Sequence, residues 1–445
     1  MSSTACSSNS SNSNVYYTDS NLLDSTLSPS SVATAVSSPL NRFASHSYLS
    51  KEEKVSTMAL RRLNFLRCYA DDVEIIKDPE DKYIIKKGSR IGKGACAIVH
   101  FATEQYHAKG QVDATQVALK MSCFHPREVN EPDYIKKYED QFYNILYEYE
   151  VLRKIEDECK KRIAEGGVQE SDKDLKNLPI VRMNGGVIVP RLASFWISLE
   201  HLPGGNLRDY INSEHRFTIV DMEKMAKDFL IALDFLKGLN IIHRDLKPEN
   251  CMFNAQGVLK IADFGSSVIS DLCGNEFGVQ NATCRSPEVI GEIPYTCAMD
   301  MFNVGSMLYE FYSKQPLVKR YSAEYVEGEE KNFDFNVSEV MQHAVILGRT
   351  PQSFLDKIPK NSWGESVYKT ALEELNLDSD YPRDPVMLKL SRETNYEVAR
   401  FNKKLTHKGI ALIDRRNKFF SVIKKMLAID PDNRLTPEEG LLLFN

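Results

Sequence analysis

The chain has 445 residues, 42% of them hydrophobic and 27% charged, with a formal net charge of −6, enough to bury one large core or two smaller ones. The charge is mixed in sign, which excludes the global basic field that nucleic-acid binding by charge requires, and short basic pieces such as Arg61-Arg62 and Lys160-Lys161-Arg162 read as solvated faces. No apolar run approaches the roughly 18–20 residues that span a bilayer, and nine cysteines at irregular spacing with no CxxC pair and no secretory leader point to free thiols in a reducing compartment.

Residues 1–50 are dominated by Ser, Asn and Thr and cannot bury enough surface to offset the entropy of ordering, so a disordered tail is expected. Ser28-Pro29 and Ser38-Pro39 lie in it as candidate modification sites. Over residues 51–78 a helical extension is expected, because Val55, Met58, Leu60, Leu63, Leu66 and Tyr69 recur near helical spacing. Strand-like alternation begins at Tyr83 and runs through "QVALKM" as an antiparallel meander. A helix follows in "YNILYEYEVLRKIEDECKKRI", then a polar, glycine-punctuated insertion "SDKDLKNLPIVRMNGG", then an apolar strand "SFWISLE" that stops at Pro203-Gly204-Gly205. Beyond that break the periodicity is helical, as in "VDMEKMAKDFLIALDFLKGL", "MDMFNVGSMLYEFYS" and "KFFSVIKKMLAID". A sheet-rich lobe over 79–201 hinged to a helix-rich lobe over 202–445 is an α+β, bilobal plan with a cleft between the lobes.

The chemistry-bearing motifs come in a fixed order. "IGKGACAIVH" places Ile91, Gly92, Gly94, Ala97 and Val99 at G-x-G-x-x-G-x-V spacing, with alanine for the third glycine. Glycines let main-chain N–H groups approach phosphate oxygens, although a tight hairpin would explain two glycines equally well. "VALK" then offers Lys120 to the phosphates of a nucleotide, and Glu148 on the following helix offers a carboxylate to orient it. "IIHRDLKPEN" is the most specific signal, setting Asp245, Lys247 and Asn250 in one loop. Asp245 can orient the acceptor hydroxyl, Lys247 can neutralise charge on the γ-phosphoryl group, and Asn250 can hold a metal ion. "ADFG" supplies Asp263 for a Mg2+ that bridges the phosphates.

On these residues the sequence resembles the eukaryotic protein kinase superfamily from about Tyr83 onward. The resemblance implies a bilobal kinase-like fold, ATP and Mg2+ as cofactors, Glu200 to Leu202 as the adenine-contacting hinge, Leu199 as gatekeeper, and Val99, Ala118 and Met252 as apolar walls. It also implies that Asp300 braces the catalytic loop, with Phe302 where tryptophan is usual, and that Arg434 pairs with Glu288. Within the superfamily, "FGSS", "RSPEVIG" and "ILGRTPQSFLDKI" are similar to the dual-specificity tyrosine-regulated kinases (DYRK) of the CMGC group, whose insertion would fall around 321–415. Arg244 departs from that family, which commonly carries cysteine there.

Lys247 followed by Pro-Glu-Asn resembles kinases that act on serine or threonine, so protein substrates with Ser/Thr acceptors are expected, without nucleic acid or membrane, in a monomer of the cytoplasm or nucleus. By the same resemblance, Arg285 shapes a pocket for a proline after the acceptor and Glu249 meets an upstream arginine. A pseudokinase scaffold is the alternative, favoured by Cys96 and Ala97 in the phosphate loop and opposed by the complete set Lys120, Glu148, Asp245, Asn250 and Asp263. A lipid or small-molecule kinase and a dedicated tyrosine kinase fit the catalytic loop less well. Asn281 stands where a hydroxyl is usual. The switch segment from Asp263 to Glu288 holds no tyrosine, and a carboxylate from Glu276 or Asp271 is expected in place of a phosphate, against the plainer reading that serine or threonine phosphorylation orders it.

Overall fold

The structure is a computed structural model that describes residues 66–444 apart from 68, 73–74, 78–82, 94–96, 109–110, 123–131, 166–176, 190–193, 215–216, 271–278, 320–334 and 376–406. All described residues belong to one unit, Arg61–Asn445. The N-terminal tail and the first part of the expected helical extension lie outside the described residues.

The first lobe is built on an eight-stranded sheet. Its centre is the meander β4 (Tyr83–Lys93), β5 (Ala97–Ala108) and β6 (Gln111–Ser122), where alternation buries Ile85, Ala102, Val117 and Leu119 on one face. β7 (Met183–Val189) and β8 (Ser194–Glu200) extend it, β8 pairing antiparallel with β6. Helix α1 (Pro132–Glu165) lies against β6, β7 and β8 through Ile145, Leu146, Tyr149, Leu152, Ile155 and Cys159, which repeat every three or four residues and are buried.

Two expectations need correction here. The glycine-punctuated stretch ending in Gly185-Gly186 was expected as part of a polar insertion, yet it runs within strand β7. A Cβ on Gly186 would lie 2.6 Å from the Tyr149 ring and 2.7 Å from that of Phe195, so this glycine admits two aromatic rings, themselves edge to face at 5.2 Å, rather than making a turn. Helix was expected through Tyr69, but residues 66–77 form the short strands β1 (Leu66–Arg67), β2 (Tyr69–Asp72) and β3 (Ile75–Lys77). Their main chain pairs with the sheet: β1 runs parallel to β7, and β3 antiparallel to β4 with Ile76 opposite Ile85. Since only residue 68 separates β1 from β2, this segment joins the two ends of the strand order β1-β7-β8-β6-β5-β4-β3-β2. Local periodicity lost to the hydrogen-bonding demand of two sheet edges.

The second lobe starts with α2 (Leu207–Asn212) and α3 (Ile219–Gly238), each opened by a capping box, Asn206 with Asp209 and Thr218 with Asp221. Small strands β9 (Ile241–Ile242), β10 (Cys251–Phe253), β11 (Leu259–Ile261) and β12 (Val268–Ile269) flank the catalytic loop, pairing β10 with β11 and β12 with β9. After the one-turn helix α4 (Pro287–Ile290), α5 (Ala298–Ser313) is buried without interruption from Met299 to Phe311 and forms the axis of the lobe. Within the segment 321–415, α6 (Phe335–Leu347), α7 (Gln352–Leu355) and α8 (Trp363–Glu374) pack Val337, Val340, Phe354, Val367 and Tyr368 into one core cluster with Ile290 and Ile293. Helices α9 (His407–Met426) and α10 (Pro437–Phe444) complete the lobe, α9 against α5 and α10 against α3.

Between the lobes the chain passes through Glu200–Leu202 and is stitched to β10 by Gly204 N–H to the Phe253 carbonyl and Phe253 N–H to the Gly205 carbonyl, both 2.9 Å. Gly204 is required by this approach, because a Cβ there would sit 2.8 Å from Phe253.

Candidate active site

Three elements bring the first cluster together. Lys120 on β6 lies opposite Ile197 of β8 and Val99 of β5, and its Nζ donates to Glu148 Oε1 of α1 at 2.8 Å and to Asp263 Oδ1 at 2.7 Å. Glu148 is 1% exposed and Lys120 9%. Burial disfavours the ammonium, but Glu148 and Asp263 together raise the Lys120 pKa above its ordinary value. Burial would likewise raise Asp263, and the Lys120 charge and hydrogen bond reverse that, leaving its carboxyl below the usual range. Lys120 and Asp263 are thus held in their charged forms, Asp263 with 49% of its side chain exposed, whereas burial pushes the Glu148 carboxyl up.

The catalytic loop forms the second cluster. Lys247 Nζ donates to Asp245 Oδ2 at 2.7 Å, and Asn250 Nδ2 donates to the Asp245 carbonyl at 2.9 Å and to its Oδ2 at 3.1 Å. The loop is braced from below by Asp300 of α5, whose two oxygens accept from the main-chain N–H of His243 at 2.7 Å and of Arg244 at 3.0 Å. Two non-glycine residues here are left-handed, Arg244 at φ 65 and Asp263 at φ 64. Such backbone persists only where its surroundings over-determine it, and the Asp300 bonds and the Lys120 bond do so. His243 Nε2 lies 3.1 Å from the Ala262 carbonyl and its ring 4.8 Å from that of Phe264, tying the loop to the "DFG" turn.

Of the residues expected to enclose a nucleotide, Gly92 pairs with Val99, Ala118 with Leu199 and Val117 with Glu200. Leu199 and Leu202 are 8% and 7% exposed, whereas Ile91 is 50% exposed on the outer strand. Met252 bridges to Asn206 below the hinge. Gly94 and Cys96 lie outside the described residues, as do Glu276 and Asp271. Ala97 is the first residue of β5, buried and paired with Ser122, so a glycine is not required at that position.

A family model described as "Protein kinase domain" matches residues 85–442. The chain belongs to the protein kinase family. Among curated relatives, it is 39% identical over 25% of its length to "Serine/threonine-protein kinase prp4" of Schizosaccharomyces pombe, covering 24% of that protein. It is 29% identical over 48% of its length to "Homeodomain-interacting protein kinase 1" of Caenorhabditis elegans, covering 26% of it. It is 33% identical over 27% of its length to "Aurora/IPL1-related protein kinase 2" of Caenorhabditis briggsae, covering 40% of it. The matched stretches thus span well under two thirds of these relatives.

Membership in the protein kinase family implies a nucleotide and a divalent cation, and the residues fit both. Asn250 and Asp263 carry the side-chain oxygens that would hold the cation, Asp263 with half of its side chain exposed, and Lys120 is the cation that would meet the phosphates. When bound, the metal would supply charge neutralisation during phosphoryl transfer.

Several contacts of the kinase site were not anticipated. Arg208 Nε donates to Glu249 Oε1 at 2.8 Å, and its Nη1 donates to Glu310 Oε1 at 2.5 Å. Glu249 is therefore already met by an arginine of its own chain. Arg285, expected at a substrate pocket, is directed at α6: its Nη1 donates to Asn336 Oδ1 at 3.0 Å and pairs with Glu339 at 3.4 Å. Arg244 donates from Nε to the Ser266 carbonyl at 2.6 Å and from Nη1 to the Tyr295 hydroxyl at 3.2 Å. Asn281 turns its Oδ1 to Thr283, accepting from the main-chain N–H at 3.0 Å and the hydroxyl at 2.9 Å. Apart from Asn281 and Thr283, these partners lie far apart in sequence, and no local pattern marks them.

Proposed function

We propose that this kinase transfers the γ-phosphoryl group of Mg-bound ATP to serine or threonine hydroxyls of protein substrates, in the manner of the DYRK kinases, with proline favoured after the acceptor. The observation that carries the reading is the bridge of Lys120 between Glu148 and Asp263, 2.8 and 2.7 Å, beside an Asp245–Lys247–Asn250 loop in bonding order. A pseudokinase has no need to keep all of these groups in register. Asp245 orients the acceptor hydroxyl, Lys247 moves from Asp245 to the transferring phosphoryl oxygens, and Lys120 holds the nucleotide's phosphates.

The proline preference is supported by Gln280, left-handed at φ 71 just before the loop that would take the substrate. That conformation bends the main chain off the path an extended residue would give it, and a proline, having no N–H to place, forfeits nothing beside it. An upstream basic residue meets a node of two carboxylates around one guanidinium, Glu249–Arg208–Glu310, which keeps a net negative charge but is partly satisfied. Proline is therefore the stronger determinant and upstream arginine the weaker.

The test is an oriented peptide library phosphorylated by the purified chain with Mg-ATP, beside Asp263→Asn protein. Activity confined to the unsubstituted chain and enriched for Ser/Thr-Pro is expected. Equal incorporation by both proteins would sink the enzymatic reading, and indifference to proline would remove the DYRK-like specificity alone.

A further inference from the structure

The loop that runs from Val279 to Glu288 is fastened to α5 by two side-chain amides in relay. Ser286 N–H, which can only donate, gives its proton to Gln280 Oε1 at 2.8 Å, and the Ser286 hydroxyl lies 3.1 Å from the same oxygen. Gln280 Nε2 therefore points the other way and donates to Asn303 Oδ1 at 2.8 Å. Asn303 Nδ2 is then turned to the Cys284 carbonyl, to which it donates. A main-chain donor at one end and a main-chain acceptor at the other leave a single orientation for each amide.

Ser286 and Asn303 are wholly buried and Cys284 is 1% exposed, so each bond broken strands a polar group away from water. Gln280 is a non-glycine at φ 71, a conformation the backbone does not hold unaided. Asn303 sits three residues after Asp300 on the same buried helix, close to the same face. Asp300 holds the catalytic loop through two N–H groups, and Asn303 holds the acceptor loop. One rigid helix thus sets the register of the two loops whose relative placement decides phosphoryl transfer. Every bond in the relay is between neutral groups.

Resting on the kinase reading above, we propose that Gln280 and Asn303 are a positioning pair that holds the acceptor-binding loop in its substrate-ready path, so that the loop needs no phosphate in the switch segment. A phosphorylated switch gains its order from charge-assisted bonds; here buried amide bonds to α5 supply that order constitutively.

The experiment uses the full chain made in bacteria, treated with a broad phosphatase and confirmed free of phosphate by intact mass. Peptide and ATP kinetics and hydrogen exchange of residues 279–288 are measured for wild type, Gln280→Ala, Asn303→Ala, the double variant and Asp263→Asn. Stripped wild type is expected to be active from the first turnover. Gln280→Ala should lower kcat/KM for peptide by roughly tenfold or more, leave the KM for ATP unchanged and speed exchange of the loop. The double variant should lose no more than the worse single one, as coupled groups do. Because Asn303 is fully buried, a poorly folded Asn303→Ala would leave the decision to Gln280→Ala, whose site is only partly buried.

Wild-type peptide kinetics in Gln280→Ala would overturn the pair while leaving the kinase reading intact. So would stripped wild type that is silent until a serine or threonine of the segment is phosphorylated. A parallel loss of ATP and peptide affinity would mark a merely structural role. Wild type no more active than Asp263→Asn would instead remove the kinase reading itself.

Discussion

Replacing Glu288 should be among the most damaging single changes in the C-terminal lobe, and the structure sets the size. Arg434 and Glu288 are both 0% exposed, and the guanidinium donates to Glu288 Oε1 at 2.6 Å and Oε2 at 2.9 Å. Its remaining donors reach main-chain carbonyls, Nε to Ala428 at 3.0 Å, Nη1 to Ala298 at 2.7 Å and Nη2 to Ile429 at 3.3 Å, with the Phe302 ring 5.1 Å beneath. Glu288→Ala leaves a buried cation with carbonyls but no counter-charge, at a cost of about 3–5 kcal/mol. Glu288→Gln keeps the shape and one acceptor and should cost about 1.5–3 kcal/mol, the worth of hydrogen bonds to a charged group. For a unit running from Arg61 to Asn445 a loss of about 3–5 kcal/mol lowers the midpoint by roughly 4–6 °C. Urea unfolding followed by circular dichroism, with a thermal scan alongside, reads both quantities. The double variant Glu288→Leu/Arg434→Met should recover most of the loss, because two apolar groups of similar volume need no pairing. A Glu288→Ala protein within about 1 kcal/mol of wild type would refute the reasoning, since it would mean that water or another anion reaches Arg434.

Lys120→Met and Asp263→Asn should each reduce peptide phosphorylation by orders of magnitude with the fold retained, and the double variant should be no worse than either; additive losses in a radiolabel assay would show that the two do not act as a unit. His343 is 3% exposed with neither ring nitrogen hydrogen-bonded, and burial together with the Arg434 charge pushes its pKa down to about 3. Below its unfolded value of about 6.5 the unfolded chain takes up a proton that the folded chain refuses, so stability should fall as pH drops from there toward 3, by up to about 1.4 kcal/mol per pH unit; a His343→Leu variant with the same pH slope as wild type would contradict this. The Cys284 thiol is pushed up to about 12 by burial, so iodoacetamide at pH 8 should label it only in urea; native labelling mapped to Cys284 by mass spectrometry would show that the acceptor loop opens.

The sequence was most legible where the chemistry is local. "IIHRDLKPEN" and "ADFG" hold their reactive groups within a few residues, so spacing alone brings Asp245, Lys247 and Asn250 into one loop. Lys120 and Asp263 are 143 positions apart, and only the resemblance joined them before the structure did. Where tertiary contacts outvote local pattern, the reading failed for identifiable reasons. Gly185-Gly186 was read into a polar insertion because the rings of Tyr149 and Phe195 that need Gly186 bare come from elsewhere in the chain. Residues 66–77 looked helical in part because two sheet edges, not their own periodicity, determine their pairing. Glu249 and Arg285 were read as free to meet substrate, since nothing nearby announces Arg208 or the pair Asn336 and Glu339.

Helix α5 is apolar enough to be buried all round, yet it carries Asp300, Asn303, Ser306 and Glu310, a polar stripe at the three- and four-residue spacing of one helix face. These residues are 1%, 0%, 1% and 4% exposed. Polar groups that deep are stable only when hydrogen-bonded, and a helix satisfies its own main chain, so the partners must be other segments brought to that face. The partners are the catalytic loop on Asp300, the acceptor loop on Asn303, the Cys284 thiol on Ser306, and the Arg208–Glu249 arm on Glu310. The catalytic loop, the acceptor loop and the Arg208 arm are thus anchored at successive turns of one buried element, so a polar-to-apolar change along the stripe should detach one segment at a time instead of unfolding the lobe as a whole. Asp300→Leu should therefore abolish phosphoryl transfer, whereas Glu310→Gln should leave a good proline-containing substrate turned over and weaken only discrimination at upstream basic residues. Equal loss of turnover from both changes, measured on the same peptides, would show that the stripe acts as a single structural block and not as separate anchors.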